Sequence, residues 1–176
     1  MSSELGVRNE IKIPNSELNT PNFRFIADAM LGQLARWLRL LGFDTLYYKD
    51  ISDVEVLKIA KQQNRIILTR DTHFLNFRNF KDFLLISSNN TMEQLVEMAA
   101  VVNLKSNIPP RCSKCNGILS GNVEKESVRG LVPEYIYLRF KKFLRCEDCG
   151  GIYWEGSHTK RFKEKFYGIL KQPLTS

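Results

Sequence analysis

Two Cys-x-x-Cys pairs, Cys112/Cys115 and Cys146/Cys149, hold all four cysteines of the 176-residue chain, with 30 residues between them. Zinc asks for four thiolates in a tetrahedron, and two tight turns of this kind each supply two. Gly117 follows the first pair and Gly150-Gly151 the second, and small residues there let backbone amides approach the sulfurs. The alternatives are two disulfides or free thiols. The first 21 residues are polar and mixed in charge, with no apolar signal core, and read as a flexible leader. No stretch approaches the ~20 apolar residues of a membrane span. The chain therefore reads as cytoplasmic, a compartment that disfavours disulfides. Four protein ligands leave no open coordination position, so the expected zinc is structural. Such ribbons occur in many nucleic-acid and protein-binding modules, so the motif alone assigns no activity.

Upstream of the cysteines the pattern changes. Phe23–Asp28 reads as a short buried strand, followed by Ala29–Leu41 with Leu31, Leu34, Ala35, Leu38 and Leu41 at helical spacing. Gly42 is placed to end that helix in a left-handed conformation. Asp44–Tyr48 reads as a second strand. Ser52-Asp-Val-Glu55 matches a capping box opening a helix to about Asn64. Arg65–Asp71 and Phe83–Ser87 are continuous apolar runs, the form of strands buried on both faces. Thr91-Met-Glu-Gln94 matches a second capping box, opening a helix through about Val102. Strands alternating with helices indicate an α/β unit with a mainly parallel sheet flanked by helices. Asn107-Ile-Pro-Pro110 breaks the pattern and places a boundary between residues 22–108 and a C-terminal module over 109–176, whose tail from Lys160 to Lys171 is basic.

Charge follows that division. The whole chain carries +7, but residues 109–176 hold 13 Lys and Arg against 7 Asp and Glu, a net of +6. A basic module beside a near-neutral one points to a polyanionic partner, with an ordinary solvated basic surface as the alternative.

Three aspartates fall where this topology gathers side chains. Asp28 ends the first strand, Asp71 ends the Arg65–Asp71 strand, and Asp53 lies in the first turn of the helix capped by Ser52. Open α/β sheets bind ligands beyond the carboxyl ends of their strands. Clustered carboxylates are costly unless a cation neutralises them, and Mg²⁺ or Mn²⁺ held there would activate water for phosphodiester hydrolysis. Each aspartate also has a plain structural reading: Asp28 as a helix cap, Asp53 as a partner of the helix dipole, Asp71 as a turn residue. Asp44, Asp50 and Asp82 read as loop or strand-edge residues.

The stretch Asp28-Ala-Met-Leu-Gly-Gln-Leu-Ala-Arg-Trp-Leu-Arg-Leu-Leu-Gly-Phe-Asp-Thr45 resembles the opening signature of the mut-seven C-terminal ribonuclease family. Ile67-Leu-Thr-Arg-Asp71 resembles its second signature, and the cysteine pairs with Ile152-Tyr-Trp-Glu-Gly-Ser-His158 resemble its third. The resemblance implies a PIN-like nuclease fold with an appended zinc ribbon, RNA as substrate, and divalent-metal hydrolysis with acidic roles for Asp28, Asp53 and Asp71. Many PIN-like domains carry a fourth acid soon after the third. Here His73 stands at that distance and no carboxylate follows until Asp82, which points to one tightly held metal.

Basic residues complete the expectation. Arg36 and Arg39 are three apart on the first helix and share a face, placed to hold phosphates near Asp28. Arg70 is set to reach a phosphate or pair with an acid, and His73 to bind phosphate or assist proton transfer. Thr69 is a candidate to bond a metal-bound water, and Trp37 reads as core or interface, with a base-stacking platform as the alternative. In the ribbon, Lys141, Lys142 and Arg145 interleave with Phe140 and Phe143, a pattern suited to single-stranded RNA, although the two phenylalanines read better as ribbon core. His158, Lys160 and Arg161 extend that surface. The leading reading is an endonucleolytic, Mg²⁺- or Mn²⁺-dependent ribonuclease with structural zinc, acting on RNA such as ribosomal or precursor RNA. The rivals are a non-catalytic RNA- or ribosome-binding factor on the same fold, and a protein-interaction module. Oligomeric state is left open.

Overall fold

Strand β1 (Arg24–Ala27) is buried along Phe25, Ile26 and Ala27 without the alternation of a half-exposed strand, because it is covered on both faces. It lies at the centre of a computed structural model that describes residues 23–77, 80, 82–104 and 108–171. The leader expected at 1–21 and Asn107 of the expected boundary lie outside the described residues. β1 pairs in parallel with β2 (Asp44–Tyr47) on one side and β3 (Ile66–Thr69) on the other, and β3 pairs in parallel with β4 (Phe83–Leu85). The order is β2-β1-β3-β4. The chain steps from β1 to β2, then crosses back over β1 to β3, so the connections reverse direction between β1 and β3. In open α/β sheets the carboxyl ends of the strands at such a reversal are where ligands bind.

Each face of the sheet has its own core. Phe25, Ala27 and Leu68 pack with Leu34, Ala35 and Leu38 of α1 (Gly32–Leu40) and Leu95 and Met98 of α3 (Thr91–Ala99). Ile26 and Ile67 point the other way, onto Val56, Leu57 and Ala60 of α2 (Asp53–Gln63). The expected α/β class with a parallel sheet flanked by helices is what the chain forms.

Local signals explain most helix ends. Ser52 and Glu55 form the expected capping box on α2, and Asn64 closes it with φ 50°. Gly42 adopts φ +99°, and a Cβ there would sit 2.7 Å from Ile108 Cβ, so the turn needs glycine twice over. The expected capping box at Thr91 does not form. Asn90 caps α3 instead, its Oδ1 accepting from the Met92 and Glu93 amides at 2.9 and 3.4 Å. Gln94 turns its amide to the Ser88 carbonyl at 2.9 Å and so makes no reciprocal bond.

The C-terminal module is a three-stranded antiparallel sheet of β5 (Leu119–Val123), β6 (Phe143–Cys146) and β7 (Ile152–Tyr153), with α4 (Glu134–Arg139) between β5 and β6. Val128, Val132, Ile136 and Phe143 form its core. The basic tail expected to belong to this module departs from that grouping. Ser157–Lys171 forms α5, which packs on α1 and α3 and sinks Phe166 completely into the core of the parallel sheet. The apolar face of Phe162, Phe166, Tyr167 and Leu170, masked in sequence by five interspersed lysines and arginines, decides that placement.

The ribbon is also bolted to the amino edge of the sheet. Arg39 is 5% exposed; its Nε donates to the Thr45 carbonyl at 2.8 Å and its Nη1 to the carbonyls of Ser113 and Lys114 at 3.1 and 3.2 Å. Asn116 accepts from the Thr45 amide at 3.0 Å and donates to Asp44 Oδ1 at 2.7 Å. Arg65 grips the same carboxylate at 2.7 Å. Among the described residues no helix is long and apolar enough to cross a membrane.

Candidate active site and metal centre

The two Cys-x-x-Cys segments fold into matching turns. The Asn116 amide donates to the Cys112 carbonyl at 2.9 Å and the Gly150 amide to the Cys146 carbonyl at 3.0 Å. Both residues take left-handed backbone, φ 71° and 70°, a conformation open to Asn and Gly. The Cys112 and Cys146 amides then donate to the Gly117 and Gly151 carbonyls, each at 2.9 Å. A Cβ at Gly117 would run into the Asp148 carboxylate and lie 2.9 Å from Cys146 Sγ.

All four sulfurs lie within 4.8 Å of one another, with Cys112–Cys149 at 3.6 Å and Cys115–Cys146 at 3.4 Å. These spacings are far from a disulfide bond and close to the roughly 3.8 Å edge of a tetrahedron with 2.3 Å Zn–S bonds. Burial pushes the Cys112 thiol up, but the Tyr153 hydroxyl at 3.0 Å and nearby backbone amides outweigh it and bring it down to about 6. The Gly117 amide favours the Cys115 thiolate, yet burial and the three neighbouring sulfurs push that group up to about 12. Four thiolates this close repel one another, and a dication among them removes the penalty. The residues fit zinc, and all four expected ligands are present.

At the other end of the sheet, β1 and β3 stop at Ala27 and Thr69, and each is followed by a carboxylate that caps a 3-10 turn. Asp28, 6% exposed, accepts the Met30 amide on Oδ1 at 2.8 Å. Its Oδ2 accepts the Thr69 hydroxyl at 2.5 Å and the Arg70 amide at 3.0 Å. The same Thr69 hydroxyl accepts the Asp71 amide at 2.9 Å. Asp71 accepts the His73 amide on Oδ1 at 2.8 Å, and its side chain is 41% exposed. His73 Nδ1 stands 3.9 Å from Asp71 Oδ2 on the open surface.

The structure thus joins Asp28 to Asp71 through Thr69. It does not assemble the expected set of three carboxylates. Among the described residues, the four cysteines are the one group of three or more Cys, His, Asp or Glu side chains close enough to hold a metal ion. Asp28 and Asp71 fold back on the amides of the turns they cap, and Asp53 opens α2 beside the Ser52 cap. What remains is a pair of carboxylates bonded only to neutral donors.

Of the basic residues, Arg36 is exposed on α1, while Arg39 faces the ribbon and holds backbone carbonyls, so the expected shared phosphate-binding face does not include it. Three residues apart, the two lie about 60° from each other around the helix, enough to bury one and expose the other. Arg70 is half-buried, and its Nε is enclosed without a partner among the described residues. Lys141, Lys142 and Arg145 are exposed on the ribbon, beside a fully buried Phe143 and a half-buried Phe140 against Trp154. His158, Lys160 and Arg161 are exposed on α5, and Lys160 pairs with Glu164 at 4.0 Å. Thr69 is fully buried with its hydroxyl engaged on both sides. It is a strut between the aspartates, not the water ligand expected from sequence.

A search of curated proteins and of solved structures finds no match to the chain. The family model of the Mut7-C RNAse domain matches residues 23–166, which takes in the parallel sheet, both cysteine pairs and α5 through Phe166. On that match, the chain belongs to the Mut7-C RNAse domain family.

Proposed function

We propose that this protein hydrolyses phosphodiester bonds within RNA at the carboxyl ends of β1 and β3, with Mg²⁺ or Mn²⁺ held by Asp28 and Asp71. The observation that carries the reading is the Asp28–Thr69–Asp71 chain of hydrogen bonds at the reversal point of the sheet, in a family of RNase domains. A divalent ion bound there supplies a water of lowered pKa and neutralises charge on the scissile phosphate. Thr69 and the Met30 and Arg70 amides fix the rotamer of Asp28, so its carboxylate needs little reorganisation when substrate arrives. Asp71 keeps an exposed oxygen toward solvent. Asp53 begins α2 at the same edge and serves as an outer carboxylate. His73, exposed beside Asp71, contacts the phosphate backbone, as do Arg36 and Arg70. The exposed ribbon cations Lys141, Lys142 and Arg145, with Lys160 and Arg161, add sequence-independent attraction.

We read the cleavage as internal because, among the described residues, the rim of this edge is open, with Met30 65% and Val54 71% exposed. A covalently closed single-stranded RNA circle tests this, because only an internal cut linearises it. Linear product with Mg²⁺ or Mn²⁺, and none in EDTA with zinc restored, is the expected result. A second reading, a non-catalytic RNA- or ribosome-binding factor, is favoured by the unassembled third carboxylate. It predicts bound but intact circles under every metal condition, on ribosomal and precursor RNA alike.

A further inference from the structure

A cleft of about 530 Å³ lies between α1, the start of α3 and α5. Its α1 wall is Gln33, Arg36, Trp37 and Leu40, one face of the helix at spacings of three and four. Its α5 wall includes His158, Phe162 and Lys165. Trp37 and Phe162 stack across the floor with centroids 3.4 Å apart and planes within 8°, and His158 stacks on Trp37 at 6.4 Å. Neither Trp37 nor Phe162 is fully buried, and Arg36, His158 and Lys165 are exposed. Among the described residues no Asp or Glu lines the cleft. An aromatic wall bordered by cations, with no acid among them, is complementary to a phosphate backbone carrying unpaired bases.

Its position matters as much as its chemistry. α1 begins just after the turn capped by Asp28, and Arg36 lies about 6 Å along the helix from its first residue, Gly32, at 1.5 Å per residue. The ribbon's cysteine turn, by contrast, is anchored at Asp44 and Thr45 on the opposite edge of the sheet. We infer that the α1–α5 cleft is a binding site for single-stranded RNA on one side of the scissile phosphate, with Arg36 and Lys165 on phosphates and the Trp37–Phe162 pair against a base. This rests on the reading of the carboxyl edge as the site of cleavage. It makes α5, the helix that the sequence sets down as a basic tail, a wall of the substrate path.

The test uses the full-length, zinc-loaded chain and a fluorescein-labelled single-stranded RNA oligonucleotide, without added Mg²⁺ or Mn²⁺ so that RNA stays intact. In Trp154→Phe, Trp37 is the one remaining tryptophan, and RNA is expected to quench its emission. By anisotropy, Arg36→Ala/Lys165→Ala is expected to weaken binding roughly ten- to thirtyfold at 0.1 M salt. It should also lower the salt slope by about 1.4, two phosphate contacts at 0.7 each. Arg36→Lys/Lys165→Arg should restore both, and Lys141→Ala/Lys142→Ala should shift binding by less than the cleft pair does. RNA that binds with no change at Trp37 and equal affinity for the cleft variant overturns the proposal, as does failure of any form to bind. The circle assay reads separately: cleaved circles with an indifferent cleft remove only this inference, and quenched Trp37 with intact circles removes only the nuclease.

Discussion

The two edges of the parallel sheet carry the same residue types in different company. At the amino edge, Asp44 is held by Arg65 at 2.7 Å and by Asn116 at 2.7 Å, and Thr45 and Arg39 complete a network that reaches the first cysteine turn. At the carboxyl edge, Asp28 and Asp71 meet a threonine hydroxyl and backbone amides, none of them charged. At the first edge the carboxylate is ion-paired and mostly covered; at the second, among the described residues, the carboxylates accept hydrogen bonds from a hydroxyl and backbone amides alone. An aspartate with a guanidinium and an amide on it has little left to offer a ligand, whereas a carboxylate fixed by neutral donors has no guanidinium compensating it. The same side chain belongs to a charged junction at one end of the strands and to neutrally bonded turn caps at the other.

The largest expected effect tests whether the amino edge depends on the metal. Structural zinc contributes on the order of 10 kcal/mol to the folding of small zinc modules. Removing it, or making Cys146→Ser, should unfold the ribbon by circular dichroism. Because Arg39 and Asn116 tie the ribbon to β2, the melting temperature of the parallel-sheet unit should fall too. An unchanged transition for that unit would show that the two modules stand independently.

Next in size, Arg39→Ala leaves three backbone carbonyls without their donor at the junction and should cost about 3 kcal/mol in denaturant unfolding. Arg36→Ala, three residues away on the exposed face, should stay within about 0.5 kcal/mol. Equal costs would erase the distinction between the two arginines. A smaller effect depends on pH. Burial raises Asp44, but bonds from Arg65 and Asn116 outweigh it and hold its carboxyl below the ordinary aspartate value. Its contribution is then complete above the unfolded value near 3.9 and is lost as pH falls through the lower folded one. Asp44→Asn should be less stable than wild type by about 2 kcal/mol at neutral pH, with the gap closing across that acid range. A gap constant down to pH 2 would contradict the assignment. Smallest is Thr69→Val, about 1 kcal/mol, with a loss of RNA cleavage out of proportion to that cost.

The contrast between edges was only half legible in the sequence. Strand runs, the Ser52 box, Gly42 and the cysteine spacing are local signals, and each produced the element it announces. The carboxyl edge was legible too, because Asp28 and Asp71 directly follow apolar strand runs. The amino edge was not: Asp44 is bonded to Asn116, 72 residues away, and Arg39 to Ser113, 74 away, and no local pattern encodes such partners. Thr69 read as a partner for a metal-bound water, and its role as a strut appears only once β1 and β3 are neighbours. α5 was misplaced because its charges stand out in a composition count while Phe162 and Phe166, which bury it, do not.

The central claim is that aspartates at one edge act and the aspartate at the other holds the fold. It is tested most directly by rates of Mn²⁺- or Mg²⁺-dependent cleavage of end-labelled single-stranded RNA, measured well below the melting temperature for wild type, Asp28→Asn, Asp71→Asn and Asp44→Asn. The account predicts that cleavage disappears in the first two variants and persists in Asp44→Asn. Cleavage by Asp28→Asn at the wild-type rate, or none by wild type under either metal, would contradict it.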